Sequence, residues 1–148
     1  EFTRDASAKI SDLENQKQES TSFLEVTEYG LSCAYLKTNQ LDKALQSIDR
    51  LLSRRPTRIT YIASKAEILN KAGQYDTALR LLEKGLDFSP GNYPLSVLYA
   101  DALTLDNQTD KAITVLREQL TQWEAQPLLW FMLAEAHGKA GNRLGVYQ

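Results

Sequence analysis

Three acidic side chains recur at one fixed spacing along the chain. Glu67, Asp101 and Glu135 follow one another at intervals of 34 residues. Paired carboxylates can act as general acid and base. Catalysis on that pattern needs further groups, and the sequence offers neither a nucleophile–base pair nor a glycine-rich phosphate loop. The three acids are therefore better explained as part of a charged surface than as an active site.

The remaining candidate groups for catalysis or metal binding are few. Cys33 is the one cysteine and His137 the one histidine. A zinc site of the His/Cys kind needs three or four ligands, and a catalytic triad needs its own base. Neither can be assembled from these two residues, and a disulfide within the chain is excluded. We predict that this chain has no catalytic residue, no metal site and no cofactor.

Composition and charge limit the kinds of partner. The 148 residues are 43% hydrophobic and 24% charged, with a net charge of −2. These are ordinary values for a soluble globular domain and give no reason to expect nucleic acid or an anionic membrane surface as the main partner. The longest apolar run, Leu128 to Ala134, is too short to span a bilayer. Protein or peptide segments remain as the expected partners.

A 34-residue period organises the rest of the sequence. Each unit carries a glycine or asparagine and, five residues later, an alanine or valine. The turn residues are Asn39, Gly73, Asn107 and Gly141, and the residues that follow them are Ala44, Ala78, Ala112 and Val146. Glycine and asparagine tolerate the left-handed conformation that ends a helix. Each unit is therefore predicted to be a helix–turn–helix pair.

Small residues also recur in the first helix of each unit, where they allow close approach of the second. They are Ser32, Ala66, Ala100 and Ala134. Apolar residues repeat at helical spacing and no stretch alternates with period two, so we predict no sheet. Trp123 and Trp130 flank Pro127 and are expected in the core at a repeat junction. The predicted fold class is all-α, a right-handed solenoid of about three and a half pairs.

The expected boundaries follow from the period. Repeats are placed at about 25–58, 59–92, 93–126 and 127–148, the last one truncated, within a domain over 22–148. Residues 1–21 are expected to be a partly helical or disordered lead-in, and Glu1-Phe2 is typical of a cloning-site remnant. Because the last unit stops after its turn, we expect an excised piece of a longer chain. Its unpartnered last helix could produce dimers.

This pattern resembles the tetratricopeptide repeat (TPR). The matching residues are Tyr35, Ala44 and Pro56 in the first unit, Ala66, Gly73, Tyr75, Ala78 and Pro90 in the second, and Trp130, Leu133, Ala134 and Gly141 in the last. The resemblance implies a groove lined by the first helix of each pair. The groove residues it implies for binding a peptide or partner are Tyr29, Glu67, Asn70, Lys71, Asp101, Phe131 and Glu135.

The three acids argue against one kind of ligand for that groove. A peptide's terminal carboxylate would meet like charge there, which lowers affinity. We hypothesise that the groove favours basic or polar segments, or docks a neighbouring domain. The alternative is a solvated acidic stripe with no binding role.

Several phrases are similar to the C-terminal repeat region of M48-type bacterial metalloproteases. They are TEYGLSCAYLKTNQLDKAL, SPGNYP and WFMLAEAHGKAGN. The resemblance implies an upstream zinc protease domain with an HExxH helix, which this chain lacks, a periplasmic location, and a role in outer-membrane protein assembly or quality control. The repeats would then dock the assembly machinery, substrates or the protease domain itself. The alternatives are an independent scaffold in secretion, pilus or cell-envelope assembly, and a cytoplasmic adaptor.

Overall fold

All regular structure in the described part of the chain is α-helical. The computed structural model describes residues 22–141, so the predictions for the lead-in and for the residues after Gly141 lie outside it. Helix α1 occupies residues 22–37. The others are α2 (Leu41–Arg54), α3 (Ile59–Lys71), α4 (Tyr75–Phe88), α5 (Tyr93–Leu105), α6 (Thr109–Gln122) and α7 (Pro127–Lys139). No strand occurs between residues 22 and 141, which confirms the all-α fold class.

The predicted turn residues adopt the left-handed conformation. The φ angles are 61° at Asn39, 78° at Gly73, 63° at Asn107 and 67° at Gly141. In the first three turns the next residue's backbone N–H donates to the carbonyl five residues back. Gln40 donates to Tyr35 at 2.8 Å, Gln74 to Leu69 at 2.9 Å and Gln108 to Leu103 at 2.7 Å. This is the bonding of the Schellman motif, which ends a helix by satisfying its last carbonyls.

The chain divides into two compact units, Glu1–Leu51 and Leu52–Gln148. In the first unit, the predicted small-residue contact between helices forms. Ser32 on α1 is buried, and its Oγ donates to the backbone carbonyl of Ala44 on α2 at 3.3 Å. Arg50 and Glu28 form an ion pair at 2.6 Å between the same two helices. The first unit is thus a helical hairpin closed by small residues.

The second unit contains α3 to α7, and each of these helices packs on the next. In addition α3 contacts α5, and α5 contacts α7. Ala66, Ala78, Ala100 and Ala112 are completely buried where the helices of a hairpin approach each other. Consecutive hairpins are therefore stacked so that their first helices, α3, α5 and α7, lie side by side.

Ala134, the small residue of the last repeat, differs in burial from the equivalent residues of the earlier repeats. Ala66 and Ala100 are 0% exposed, whereas Ala134 on α7 is exposed. Helix α4 packs on α3 and helix α6 packs on α5, whereas no further helix follows α7 within residues 22–141. One face of α7, which also carries Phe131, is consequently open in the part of the chain that the structure describes.

Two local features fix where helices begin and how closely they approach. Asn92 caps α5, with its Oδ1 accepting from the backbone N–H of Leu95 at 3.1 Å, and Pro127 is the first residue of α7. At Gly85 on α4 an added Cβ would lie 3.0 Å from Leu95 and 3.1 Å from Ile62, so this glycine permits close packing of α4 against its neighbours. None of the described helices combines the length and apolarity needed to cross a bilayer.

Candidate functional site

The face formed by the first helices of the second unit carries most of the predicted groove residues. The predicted residues on it are Glu67 and Lys71 on α3, Asp101 on α5, and Phe131 and Glu135 on α7. Their neighbours on the same helices are Thr60 on α3, Pro94 and Val97 on α5, and Leu128 and Lys139 on α7. All of them are exposed or half-buried. We call this surface the α3–α5–α7 face, and the set Glu67, Asp101 and Glu135 the acid line. The stacking of hairpins thus brings together residues that lie 34 positions apart in sequence.

The three acids influence one another electrostatically. Asp101 is half-buried, and burial raises the pKa of its carboxyl above the usual value for aspartate. The charges of Glu135 and Glu67 raise this pKa further, while Lys139 acts in the opposite direction. Desolvation and like charge both disfavour the ionised carboxylate. The structure therefore brings the acid line together around Asp101.

The lysines on this face do not compensate the three acids equally. Lys71 follows Glu67 by four residues on α3, and Lys139 follows Glu135 by four on α7. Side chains four apart are neighbours on a helix surface, and glutamate before lysine is the more favourable order. On α5 the corresponding position after Asp101 is Leu105. The central acid therefore has no lysine one turn later on its own helix.

Asn70 is buried, although the sequence placed it on the open groove. Its side chain is 6% exposed, and its Nδ2 donates to the backbone carbonyl of Leu98 on α5 at 3.3 Å. Its Oδ1 is buried and has no hydrogen-bond partner. The amide group therefore lies between α3 and α5, with one polar atom satisfied and the other not.

Two aromatic residues were predicted to contact a partner. Phe131 on α7 is 63% exposed and belongs to the α3–α5–α7 face. Tyr29 is half-buried on α1 and belongs to the first unit. A binding role for either residue stays a prediction.

The two tryptophans are exposed, contrary to the expectation that they lie in the core. Trp123 is 43% exposed and Trp130 is 52% exposed. Trp123 stacks at a tilt on Tyr93 with ring centroids 5.6 Å apart, and Trp130 donates from Nε1 to the carbonyl of Glu124 at 2.9 Å. Trp123 is the C-cap residue of α6 and Trp130 lies in the first turn of α7, and both rings are partly exposed to solvent.

Two polar contacts between helices, one buried and one exposed, were not visible in the sequence. Gln119 on α6 donates from Nε2 to the Oγ of Ser96 on α5 at 3.0 Å, with its own Oε1 unpartnered. Tyr99 donates to Glu83 at 2.9 Å, and burial together with this acid raises the pKa of Tyr99 to about 12. The 34-residue pattern does not mark Gln119 or Tyr99. The equivalent residues are Leu51 and Gly85 for Gln119, and Leu31, Lys65 and Leu133 for Tyr99.

The described residues do not form a candidate metal site. Within residues 22–141 no group of three or more histidine, cysteine, aspartate or glutamate side chains could hold a metal ion. The acid line spans three helices without converging on one point.

Two family models match the chain. One is described as the tetratricopeptide repeat and matches residues 69–122. The other is described as the N-terminal acetyltransferase A auxiliary subunit and matches residues 2–89, more than half of the chain. No curated protein matches the chain by sequence.

Solved structures share the fold at low identity. MamA (41-end) from Desulfovibrio magneticus RS-1 superposes with a TM-score of 0.69 at 17% identity, over 78% of this chain and 66% of that one. The chain thus spans slightly less than two thirds of that structure. The TPR domain of Arabidopsis OM64 gives 0.68 at 13% identity, over 77% and 94% of the two chains. The second TPR domain of human RPAP3, solved with the HSP70 peptide SGPTIEEVD, gives 0.68 at 12% identity, over 77% and 95%.

Proposed function

Because the chain belongs to the family described as N-terminal acetyltransferase A auxiliary subunits and carries tetratricopeptide repeats, we propose that it is a protein–protein interaction module without catalytic residues of its own. The observation that carries the proposal is the α3–α5–α7 face. Exposed and half-buried side chains recur there on three neighbouring helices, and the alanines Ala66 and Ala100 are fully buried on the first two of them. A rigid scaffold that presents recurring side chains along stacked helices is suited to binding an extended polypeptide.

Photocrosslinking in cells that express the protein tests this proposal. A benzoylphenylalanine placed at Phe131, on the α3–α5–α7 face, is expected to crosslink to a specific protein. The same group at Asp110, an exposed position in the first turn of α6, serves as the control. Crosslinks from Asp110 alone, or none from Phe131, would contradict a binding role for this face.

The finer proposal is that the module is the repeat region of a periplasmic, M48-like zinc metalloprotease that acts in outer-membrane protein assembly or quality control. Its support is the similarity of the three quoted phrases to that family. In this case the parent gene encodes an HExxH helix and an export signal upstream. The crosslinked partner is then a component of the outer-membrane assembly machinery, an outer-membrane protein or the protease domain itself. A parent gene without the HExxH helix rejects this proposal and favours an independent scaffold in the cell envelope.

The longer family match supports a second candidate, an auxiliary subunit that assembles with an acetyltransferase. Co-expression with the catalytic subunit of N-terminal acetyltransferase A, followed by size-exclusion chromatography, tests it. A stoichiometric complex supports this function and a cytoplasmic location. Separate elution of the two chains rejects it, and cell fractionation of the tagged parent protein then decides between periplasm and cytoplasm.

A further inference from the structure

We propose that the turn between α2 and α3 docks an acidic segment of a partner protein, whose carboxylates pair with the guanidinium groups of Arg54 and Arg58. We call Arg54, Arg55 and Arg58 the arginine turn. None of them belongs to the α3–α5–α7 face, so the inference goes beyond the proposed function. Three observations carry it: the concentration of arginine in this stretch, the geometry of the turn, and the packing of Arg58.

Arginine is concentrated in one short stretch of the chain. Half of the arginines lie between Arg50 and Arg58, although the net charge of the whole chain is −2. No aspartate or glutamate occurs between Asp49 and Glu67, and the first turn of α3 contains no acidic residue. Arg50 pairs with Glu28 in the first unit, whereas the arginine turn belongs to the second. Like charges gathered in this way repel one another, and an anion supplied by a ligand relieves that repulsion.

The connection between the two helices is a hydrogen-bonded turn. The backbone N–H of Arg58 donates to the carbonyl of Arg55 at 3.2 Å, with Pro56 at the second position of the turn. A β-turn brings the Cα atoms of its first and fourth residues to within about 7 Å, and proline is favoured at its second position. Residues 53–58 are all exposed. The turn therefore holds Arg55 and Arg58 close together on the protein surface, directly after Arg54 at the end of α2.

Arg58 is positioned by an aromatic ring. Its guanidinium lies over the ring of Tyr61, 5.3 Å from the centroid, and Tyr61 is only 6% exposed. A guanidinium that already stacks on a buried ring in the free protein loses less side-chain entropy when it binds a ligand. Arg55 interacts with other groups of the protein, so the proposal assigns the ligand contacts to Arg54 and Arg58.

The chemistry of arginine favours carboxylates as the ligand groups. A guanidinium can donate two parallel hydrogen bonds to one carboxylate, which a lysine ammonium cannot reproduce. Phosphates accept the same bonds, but proteins that bind nucleic acid combine an extended basic surface with aromatic rings on which bases stack. Here the chain carries a net charge of −2, and the ring beside Arg58 is buried. An acidic polypeptide segment is therefore the ligand that fits the arginine turn.

Fluorescence anisotropy on the complete 148-residue chain tests the proposal. The probes are the labelled peptide EESEESEES and its uncharged counterpart QQSQQSQQS. We expect the acidic peptide to bind at least about tenfold more tightly, and its affinity to fall as salt screens the charges. Equal affinities would overturn the proposal. An oligothymidylate of the same length that binds more tightly and displaces the acidic peptide would also overturn it, because the surface would then select nucleic acid.

Three matched variants locate the effect. Arg54→Gln and Arg58→Gln each remove one guanidinium, and we expect each to weaken binding of the acidic peptide by about threefold to tenfold. Arg117→Gln removes one exposed positive charge from α6 and is expected to leave the affinity unchanged. If all three variants weaken binding equally, the effect is one of net charge, and the arginine turn is rejected as the docking surface.

Two measurements at Arg54 separate carboxylate recognition from other roles. Arg54→Lys keeps the charge but loses the planar fork, so we expect its affinity to lie between those of the unmodified chain and Arg54→Gln. Full affinity in Arg54→Lys would contradict pairing with a guanidinium group. Arg54→Gln is expected to leave Tm unchanged, whereas a fall in Tm with unchanged peptide affinity would mean that the arginine serves the fold and would overturn the proposal.

The outcomes distinguish this inference from the proposed function. If photocrosslinks form from Phe131 but the acidic peptide binds no better than its uncharged counterpart, the chain is an interaction module and the arginine turn is not a docking surface. If Arg54→Gln and Arg58→Gln weaken the acidic peptide while Phe131 gives no crosslink, the arginine turn binds and the α3–α5–α7 face does not.

Discussion

Asp101 is the residue on which electrostatics and burial act most directly. It is half-buried on α5, and its carboxyl lies within electrostatic range of Glu67 and Glu135. Burial, then the charge of Glu135, and then that of Glu67 raise its pKa above the value in an unfolded chain, against the opposing effect of Lys139. The folded state therefore binds a proton at this position more readily than the unfolded state does.

This shift fixes the sign of a pH effect. The stabilising contribution of a raised carboxyl pKa is fully present below the unfolded value of 3.8 and is lost as pH rises through the folded pKa. At pH 7 the ionised Asp101 is therefore a net cost to folding. We expect Asp101→Asn to raise Tm at pH 7, and we expect this gain to vanish as pH falls towards 3.8. Thermal unfolding, monitored by circular dichroism between pH 7 and pH 3.8, measures the gain in Tm and its loss at low pH.

Asp76→Asn is the control for this prediction, and its expected effect on stability at pH 7 has the opposite sign. Asp76 lies in the first turn of α4, where a negative charge interacts favourably with the positive end of the helix dipole, worth about 0.3–1 kcal/mol. Its neutralisation is expected to lower the free energy of unfolding slightly at pH 7. A gain in stability for both variants would mean that removing any negative charge stabilises the protein. It would contradict the explanation by burial and neighbouring acids at Asp101.

At the level of single helices, the ends are fixed by side chains and by left-handed turns. Among α3 to α7, Asn92 alone gives a side-chain hydrogen bond at the helix N-cap, while Gln74, at the N-cap of α4, gives none. The turn before α4 instead depends on Gly73 and its backbone hydrogen bonds. Two neighbouring helices thus begin for different physical reasons.

This difference predicts two unequal alanine substitutions. Asn92→Ala removes the acceptor for the Leu95 N–H and is expected to reduce the free energy of unfolding by about 1 kcal/mol. Gln74→Ala removes no capping bond and is expected to change it by less than about 0.5 kcal/mol. Urea unfolding of both variants provides the comparison. Equal losses would mean that the cap of α5 is not a determinant of stability.

A second prediction concerns helix packing at Gly85. An added methyl group would meet Leu95 at 3.0 Å and Ile62 at 3.1 Å. Overpacking costs about 1–3 kcal/mol, which exceeds the gain of up to about 1 kcal/mol from replacing glycine by alanine in a helix. Gly85→Ala is therefore expected to lower the free energy of unfolding.

Gly138 on α7 provides the matched control. A Cβ added there has no atom within 4 Å, so the helix-propensity gain is unopposed. Gly138→Ala is expected to raise the free energy of unfolding by up to about 1 kcal/mol. If Gly85→Ala stabilises the protein as much, then Leu95 and Ile62 move aside. The close approach of the helices would then not require a glycine at position 85.

At the scale of the whole molecule, equivalent positions of the repeat do not share one environment. Ala66 and Ala100 are fully buried by the second helix of their hairpins, whereas Ala134 is exposed on α7. The period is a property of the sequence, but burial at each position depends on which helices are stacked there. This difference can be measured with the same substitution in two repeats.

Ala100→Leu is expected to be destabilising by about 1–3 kcal/mol, because the larger side chain enters the contact between α5 and α6. Ala134→Leu places the same side chain on an exposed position and is expected to change stability by less than about 0.5 kcal/mol. Denaturant unfolding of both variants is the measurement. A large loss for Ala134→Leu would mean that residues after Gly141 cover this face of α7.

The sequence by itself determined the helical fold, the hairpin turns and the alignment of the acid line. Asn39, Gly73, Asn107 and Gly141 predicted left-handed turns because few other residues adopt that conformation without strain, and all four do adopt it. The 34-residue spacing of Glu67, Asp101 and Glu135 placed them on one row because stacked hairpins repeat with the same period. These are local conformational and periodic properties, which a single chain encodes directly.

Only the tertiary structure decided how deeply each side chain is buried and which polar groups find partners. It buried Asn70 between α3 and α5, exposed Trp123 and Trp130, and left the amide oxygen of Asn70 without a donor. The physical reason is that burial and hydrogen bonding depend on the angle and offset between neighbouring helices. Those are set jointly by many small contacts, such as the one at Gly85, and no single sequence pattern specifies them.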